Sequence, residues 1–155
     1  MRTPSQTVGP FYAIGLCRHG EHVLAAGAVE LSGLLLDGQG EAIADGLVEL
    51  WDSVERRWGR SGTDADGRFA FEVSKPGAGE HGAPHFEVFV FARGLLRHQL
   101  TRIYLPDEQE ANAADPLLAS LPEAERSTLV AAQEGDGLRF DIRMQGENAT
   151  VFFEH

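Results

Sequence analysis

Residues 85–92 read HFEVFVFA, and this run decides the fold because it is the most β-prone stretch of the chain. In a strand, successive side chains point to opposite faces. The even-numbered residues of the run are all apolar, and the odd-numbered ones include Phe89 and Phe91. A strand of a solvated antiparallel sheet normally has one polar face. We therefore expect the second face to be covered, by an N-terminal arm or by another chain, unless the strand is buried within its own domain.

The rest of the chain surrounds this run with further short β-prone segments. Alternation and composition predict strands at residues 30–37, 42–51, 68–73, 96–105, 137–145 and 149–153. Residues 107–134, rich in Ala, Leu and Glu, predict one or two short helices on a crossing connection. Residues 3–16 predict an extended, non-helical arm. Together these segments predict an all-β sandwich of two antiparallel sheets in one domain, with an arm at 1–29 and the sandwich at 30–155.

The composition bounds the partners and the compartment. Lys plus Arg total 13 against 24 Asp plus Glu, so the formal net charge is −11, which repels phosphate backbones and anionic membranes. The single cysteine, Cys17, allows no internal disulfide and no Cys-based zinc site. The first residues lack the apolar run of a signal peptide. We therefore expect a cytoplasmic protein with no nucleic-acid and no membrane partner.

Three stretches of the chain, taken together, resemble the intradiol ring-cleavage dioxygenases. They are TPSQTVGPF at 3–11, APHFEVFVFARG at 83–94 and RFDIRMQGE at 139–147, the last followed by TVFF at 150–153. Leu50-Trp51 and the KPG of residues 75–77 lie between them in the expected order, although the loop at 52–60 is shorter than in that family. The resemblance implies a transthyretin-like β-sandwich that serves as the non-catalytic alpha chain beside a beta chain. It also implies cleavage of protocatechuate by O2 to 3-carboxy-cis,cis-muconate.

The resemblance further implies that ferric iron, Fe(III), is held by the partner beta subunit, through two Tyr phenolates and two His. This chain has only two tyrosines, Tyr12 and Tyr104, and neither stands where the catalytic chains carry theirs. The family's His-x-His reads His85-Phe86-Glu87 here, so His85 alone matches an iron ligand. We therefore expect that this chain binds no metal, that His85 is non-ligating, and that the chain alone has no catalytic residues.

By the same resemblance, the alpha chain adds its arm and one arginine to a substrate pocket at the alpha–beta interface. The matching positions are Arg93, Thr7, Gly9, Pro10 and Phe11. Protocatechuate is a flat ring bearing a carboxylate, which an arginine can attract and orient. Pro10 and Phe11 would then supply an apolar wall. Two simpler interpretations stay open: Arg93 as a surface residue that ends a strand, and Phe11 as a core residue.

Two other functions compete with this hypothesis. One is a stand-alone, non-catalytic transthyretin-like binding module that has no partner. The other is an Fe(II) enzyme that uses a facial triad of two His and one carboxylate, formed by His85, Glu87 and His98. His85 and Glu87 would share one face of their strand, and His98 would come from the neighbouring strand.

Overall fold

Two β-sheets pack face to face in the computed structural model, which describes residues 2–9, 11–26, 28–79 and 82–154. The all-β sandwich predicted from the sequence is confirmed. Its core is formed by large apolar side chains of both sheets, among them Leu31, Leu35, Leu50, Phe69, Phe71, Phe86, Val88, Val90, Ile103, Phe140 and Ile142. In the part of the chain that the structure describes, no helix has the length and apolar character needed to cross a membrane.

The first sheet is antiparallel throughout and is centred on the run HFEVFVFA. Its strands lie in the order β3 (Arg57–Gly62), β2 (Leu47–Asp52), β5 (His85–Phe91), β6 (Gln99–Tyr104). The even-numbered residues of β5 are buried and its odd-numbered residues are half-buried, in strict alternation. The inner face of β5 therefore faces the second sheet, as the period-two pattern predicts.

The second sheet is mixed. Strand β1 (Val29–Leu36) pairs with β4 (Arg68–Val73) in antiparallel fashion, but with β8 (Gly137–Arg139) and β9 (Ile142–Arg143) in parallel. Strand β7 (Ala132–Glu134) lies beyond β8. The expectation of two purely antiparallel sheets is therefore wrong for this one.

The single strand expected at residues 137–145 is also wrong, because the chain divides into β8 and β9 at Phe140-Asp141. The Leu34 amide of β1 donates to the Asp141 carboxylate at 2.9 Å. The side chain thus replaces the backbone carbonyl that would accept this bond in a continuous strand. The division lets β1 pair with two short segments in turn.

A helical connection after β6 is confirmed, but it has three short helices where one or two were expected: α2 (Gln109–Ala114), α3 (Pro116–Ser120) and α4 (Glu123–Ser127). The last residues of the predicted segment form β7 instead. A proline at the start of α3 and another just before α4 break the segment into single turns, since proline cannot continue a preceding helix. These helices surround a second small core with Tyr104 and Leu129 at its centre.

Three segment predictions are wrong. Helix α1 (Tyr12–Leu16) follows the arm where no helix was expected, because no proline restricts the chain after Pro10. The segment at 52–60, expected to be a loop, ends in the first four residues of β3 (Arg57–Gly62), which pairs with β2 after a tight turn. Residues 149–153 form no strand and make one β-bridge, from Phe153 to Leu100, because the Thr150 hydroxyl and amide bond to the backbone of Arg143 instead.

The second face of β5 is covered only in part by the chain itself. The ring of His98 lies over Phe89 and Phe91, with centroid distances of 5.5 and 5.4 Å. The Tyr12 hydroxyl of the arm reaches the Phe91 carbonyl. All the odd-numbered side chains of β5 nevertheless keep some exposure. The arm therefore contributes to the cover without completing it.

Candidate functional site

The N-terminal arm is joined to the end of β5 and to the turn after it by two hydrogen bonds. The Gly94 amide donates to the Thr7 hydroxyl oxygen at 2.8 Å, and the Tyr12 hydroxyl donates to the carbonyl of Phe91, the last residue of β5. These two bonds form an arm–turn clasp, and Arg93 lies between Phe91 and Gly94 in the chain. Thr7 and Arg93, which the sequence placed in one site from opposite parts of the chain, are thus brought together.

Arg93 is a surface residue with a partner. Its side chain is 60% exposed, and its Nε pairs with the carboxylate of Asp45, which lies in the connection between β1 and β2. A guanidinium has five N–H donors in a planar fork, so one contact at Nε leaves donors for a second anion. Arg93 lines a groove of about 410 Å³ together with Met144 and Gln99.

Two large apolar side chains of the arm are left mostly exposed by the sandwich. Phe11 and Ile14 are each 76% exposed, and no residue of α1 is buried. Phe11 as a core residue is therefore wrong. The space around Gly9 is open, since a Cβ added there would meet no atom within 4 Å beyond the two chain neighbours. Pro10 lies outside the described residues.

The hairpin that carries Arg93 has the opposite charge from the rest of the chain. Residues 88–106 include Arg93, Arg97, Arg102 and His98 but no Asp or Glu, in a chain of formal net charge −11. Charges of one sign grouped beside a groove raise the local concentration of counter-ions. This turn is therefore suited to an anionic ligand.

His85 stands at the beginning of β5, and a hydrogen bond holds its ring in place. Its Nδ1 lies 2.8 Å from the Ala83 carbonyl oxygen, which can only accept, so Nδ1 carries the proton. The ring packs against Tyr104 at a centroid distance of 5.2 Å. Burial lowers the His85 pKa, and the hydrogen bond to Ala83 opposes that effect.

The facial triad of His85, Glu87 and His98 is wrong. The register of β5 on β6 pairs Val90 with Gln99, which places His98 at the Phe91 end of the sheet. At a rise of about 3.3 Å per residue, six positions of strand separate His98 from His85 by about 20 Å. Three ligands of one metal cannot span that distance.

The remaining donors of the chain do not fit ferric iron either. Tyr104 is buried, its hydroxyl lies 3.4 Å from an Asp115 oxygen, and burial raises its pKa. Burial, followed by the nearby charge of Asp45, also raises the pKa of Tyr12. Each phenol hydroxyl also has a partner within the chain, the Phe91 carbonyl for Tyr12 and the Asp115 carboxylate for Tyr104. Across residues 2–9, 11–26, 28–79 and 82–154, no group of three His, Cys, Asp or Glu side chains could hold a metal ion.

Sequence reasoning missed two residues of this site, Tyr12 and Asp45. Tyr12 directly follows the arm motif, and that position was the only available signal. Asp45 carries no local pattern that links it to Arg93, because the two meet only through the pairing of β2 with β5.

We expect the chain to lose stability through His85 as the pH decreases. The pKa of His85 in the folded chain lies below the ordinary histidine value of about 6.5. As the pH falls, His85 is therefore protonated in the unfolded chain before it is protonated in the folded chain. Stability from this group is therefore present above about pH 6.5 and decreases as the pH falls toward the lowered pKa. Thermal unfolding across that window should show a steeper decrease for the natural chain than for His85→Gln. Equal pH dependence of the two proteins would contradict this assignment.

Comparisons with known proteins agree with the fold and show the family. No family model matches the chain. It is 40% identical to the protocatechuate 3,4-dioxygenase alpha chain of Burkholderia cepacia, over 99% of this chain and 97% of that one. It is 35% identical to the protocatechuate 3,4-dioxygenase alpha chain of Pseudomonas putida, over 98% and 96%. The beta chain from Burkholderia cepacia is 29% identical, over 79% of this chain and 66% of that one.

Solved structures share the fold at lower identity. The dioxygenase domain of a carbohydrate-binding fusion protein from Streptomyces sp. SirexAA-E has a TM-score of 0.62 and 23% identity, over 81% of this chain and 87% of that one. Catechol 1,2-dioxygenase from Pseudomonas arvilla C-1 has a TM-score of 0.54 and 20% identity, over 80% and 55%. These two similarities concern the fold alone.

Proposed function

The chain belongs to the family of protocatechuate 3,4-dioxygenase alpha chains, and on that premise we propose that it completes the substrate pocket of an iron-bearing beta subunit. The assembled enzyme would cleave protocatechuate with O2 to 3-carboxy-cis,cis-muconate. The observation that carries the proposal is the arm–turn clasp, since it joins Thr7 of the arm to the turn that bears Arg93.

Arg93 is the residue that recognises the substrate carboxylate. Its exposed guanidinium lies beside a groove, within residues 88–106, which contain no Asp or Glu. Charge-assisted hydrogen bonds from a planar guanidinium fix both the position and the orientation of a carboxylate. Arg93 therefore attracts the anion despite the acidic surface, and turns the ring so that its two hydroxyl groups face the beta subunit.

The arm supplies the apolar side of the same pocket. Phe11 is exposed and offers its ring to a flat aromatic substrate or to the partner chain. The open space around Gly9 supports a close approach by a second surface. Thr7 holds the arm to the turn, and Pro10, which lies outside the described residues, belongs to the proposed wall by its place in the motif.

The iron belongs to the beta subunit. Of the four ligand positions that the resemblance implies, this chain matches only His85, whose Nδ1–H is engaged with Ala83. The Tyr104 hydroxyl lies within the small core around Asp115. In the complete enzyme the ferric ion would activate the catechol toward O2, and this chain would bind and orient the ring. The acidic composition supports a complex that binds neither nucleic acid nor membranes, and the single cysteine fits a cytoplasmic location.

Co-expression with the beta subunit tests the proposal. We expect the purified complex to contain iron and to consume O2 with protocatechuate, while this chain alone contains no stoichiometric iron and has no turnover. Iron analysis and an oxygen electrode give both readouts from one preparation. Iron bound by the lone chain, or full turnover without the beta subunit, would overturn the proposal. A lone chain that stays folded and never joins the beta subunit would instead favour the stand-alone binding module.

A further inference from the structure

The part of the arm before Cys17 is attached to the sandwich by a few polar contacts. Its large apolar residues Phe11 and Ile14 are mostly exposed, and no residue of helix α1 is fully buried. Besides the arm–turn clasp, this part is fixed by Arg60, whose Nη1 donates to the Leu16 carbonyl at 2.9 Å. Residues 21–25 are held separately, by backbone hydrogen bonds to Arg60 and Glu72. The position of the part before Cys17 thus depends on a few individual hydrogen bonds.

The arm–turn clasp has a specific geometry. On the arm, Thr7 and Tyr12 lie on either side of Gly9 and Phe11; on the other segment, Phe91 and Gly94 flank Arg93. The two segments are therefore joined at two points, with Gly9, Phe11 and Arg93 between those points in the chain. Loss of either bond leaves the arm free to move relative to Arg93.

We propose that Tyr12 is a positioning residue. Its hydroxyl bond to the Phe91 carbonyl fixes the arm against Arg93, so that the arm and Arg93 contact the same substrate molecule. This inference rests on the proposed function. Thr7 was assigned to the site from the motif, whereas Tyr12 was not. It touches no substrate atom and acts through the arm.

The surroundings of Tyr12 keep this bond in place at working pH. Burial, then the carboxylate of Asp45 and then the thiol of Cys17, raise the pKa of the phenol. The hydroxyl therefore remains a donor. Asp45 also pairs with Arg93, so one carboxylate lies beside both the positioning residue and the recognition residue.

The test is Tyr12→Phe in the assembled alpha–beta enzyme, which removes one hydroxyl and keeps the ring. A typical net hydrogen-bond contribution predicts that KM for protocatechuate rises about fivefold, while kcat changes less than about twofold. KM changes more than kcat because a loosened arm lowers the fraction of enzyme molecules that can bind substrate. The apparent affinity falls, whereas the geometry of the occupied pocket stays the same. A purely structural loss would lower the amount of active enzyme and leave KM as it was.

Two controls make the result decisive. Tyr104→Phe removes the hydroxyl of the only other tyrosine, which pairs with His85 at the opposite end of β5 from Phe91, and should leave KM unchanged. Hydrogen exchange of the peptide that contains Gly94 should accelerate in Tyr12→Phe and not in Tyr104→Phe, because the Gly94 amide is held by the arm.

The outcomes separate this inference from the proposed function. An unchanged KM in Tyr12→Phe, together with a raised KM in Arg93→Ala, would overturn the role of Tyr12 alone. An unchanged KM in both variants would overturn the substrate site itself. Thr7→Val combined with Tyr12→Phe should be non-additive, since either change opens the same clasp; strict additivity of the two effects would also contradict the clasp.

Discussion

Replacing Arg93 with alanine in the assembled enzyme is expected to lower kcat/KM for protocatechuate about a hundredfold, because hydrogen bonds to a charged group contribute about 1.5–3 kcal/mol. The loss should appear mainly in KM, since Arg93 recognises a carboxylate that does not take part in ring opening. The stability of the chain should change little, because the Arg93 side chain is largely exposed and its ion pair with Asp45 is screened by solvent.

Steady-state kinetics with two substrates separate recognition from general damage. Catechol lacks the carboxylate, so the natural enzyme and Arg93→Ala should handle it alike. Arg97→Ala is the matched control, since Arg97 is an exposed arginine of the same hairpin. Equal losses for protocatechuate and catechol would show that Arg93 does not read the carboxylate.

Asp52→Ala should lower the free energy of unfolding by about 3–5 kcal/mol, the typical loss when one partner of a buried ion pair is removed. The Asp52 side chain is 0% exposed and bonds to Nη2 of Arg57 at 2.7 Å. It also accepts from the amides of Val54 and Glu55, each at 3.1 Å. Its removal leaves a guanidinium without its anion and two amides without an acceptor, at the turn between β2 and β3.

Chemical denaturation measures this effect, and Lys75→Ala is its control. Lys75 forms ion pairs with Asp107 and Glu108 at an exposed position, where solvent screens the attraction. Its loss should hardly move the denaturation midpoint. Similar shifts in Asp52→Ala and Lys75→Ala would mean that burial does not strengthen the Asp52 pair.

The sequence predicted what local pattern determines. Strands with clear alternation, such as β4 and β5, lie where the pattern put them, because burying one face fixes both strand and register. Strand β3 was missed because RWGRSG contains no apolar alternation. It forms because Asp52 closes a tight turn that returns the chain along β2. That cause is a side-chain hydrogen bond within the folded turn, and no propensity reveals it.

The same distinction holds for the site: residues within a sequence motif could be predicted, and contacts made only in the folded chain could not. The motif located Thr7 and Arg93, and the structure joins their segments through Gly94. Asp45 could not be predicted as a site residue from the sequence, because it contacts Arg93 only after the sheet has formed. The facial triad failed for the related reason that His98 lies on the correct face but at the wrong end of the hairpin.

The exposed side chains of the arm have a consequence for how the protein must be made. Phe11 and Ile14 stay in water as long as no second chain covers them. Copies of this chain in excess of the partner chain would therefore tend to self-associate, since exposed apolar patches promote aggregation. A cell that produces this subunit therefore benefits from synthesising the partner subunit in equal amounts. A copy without a partner should be degraded early.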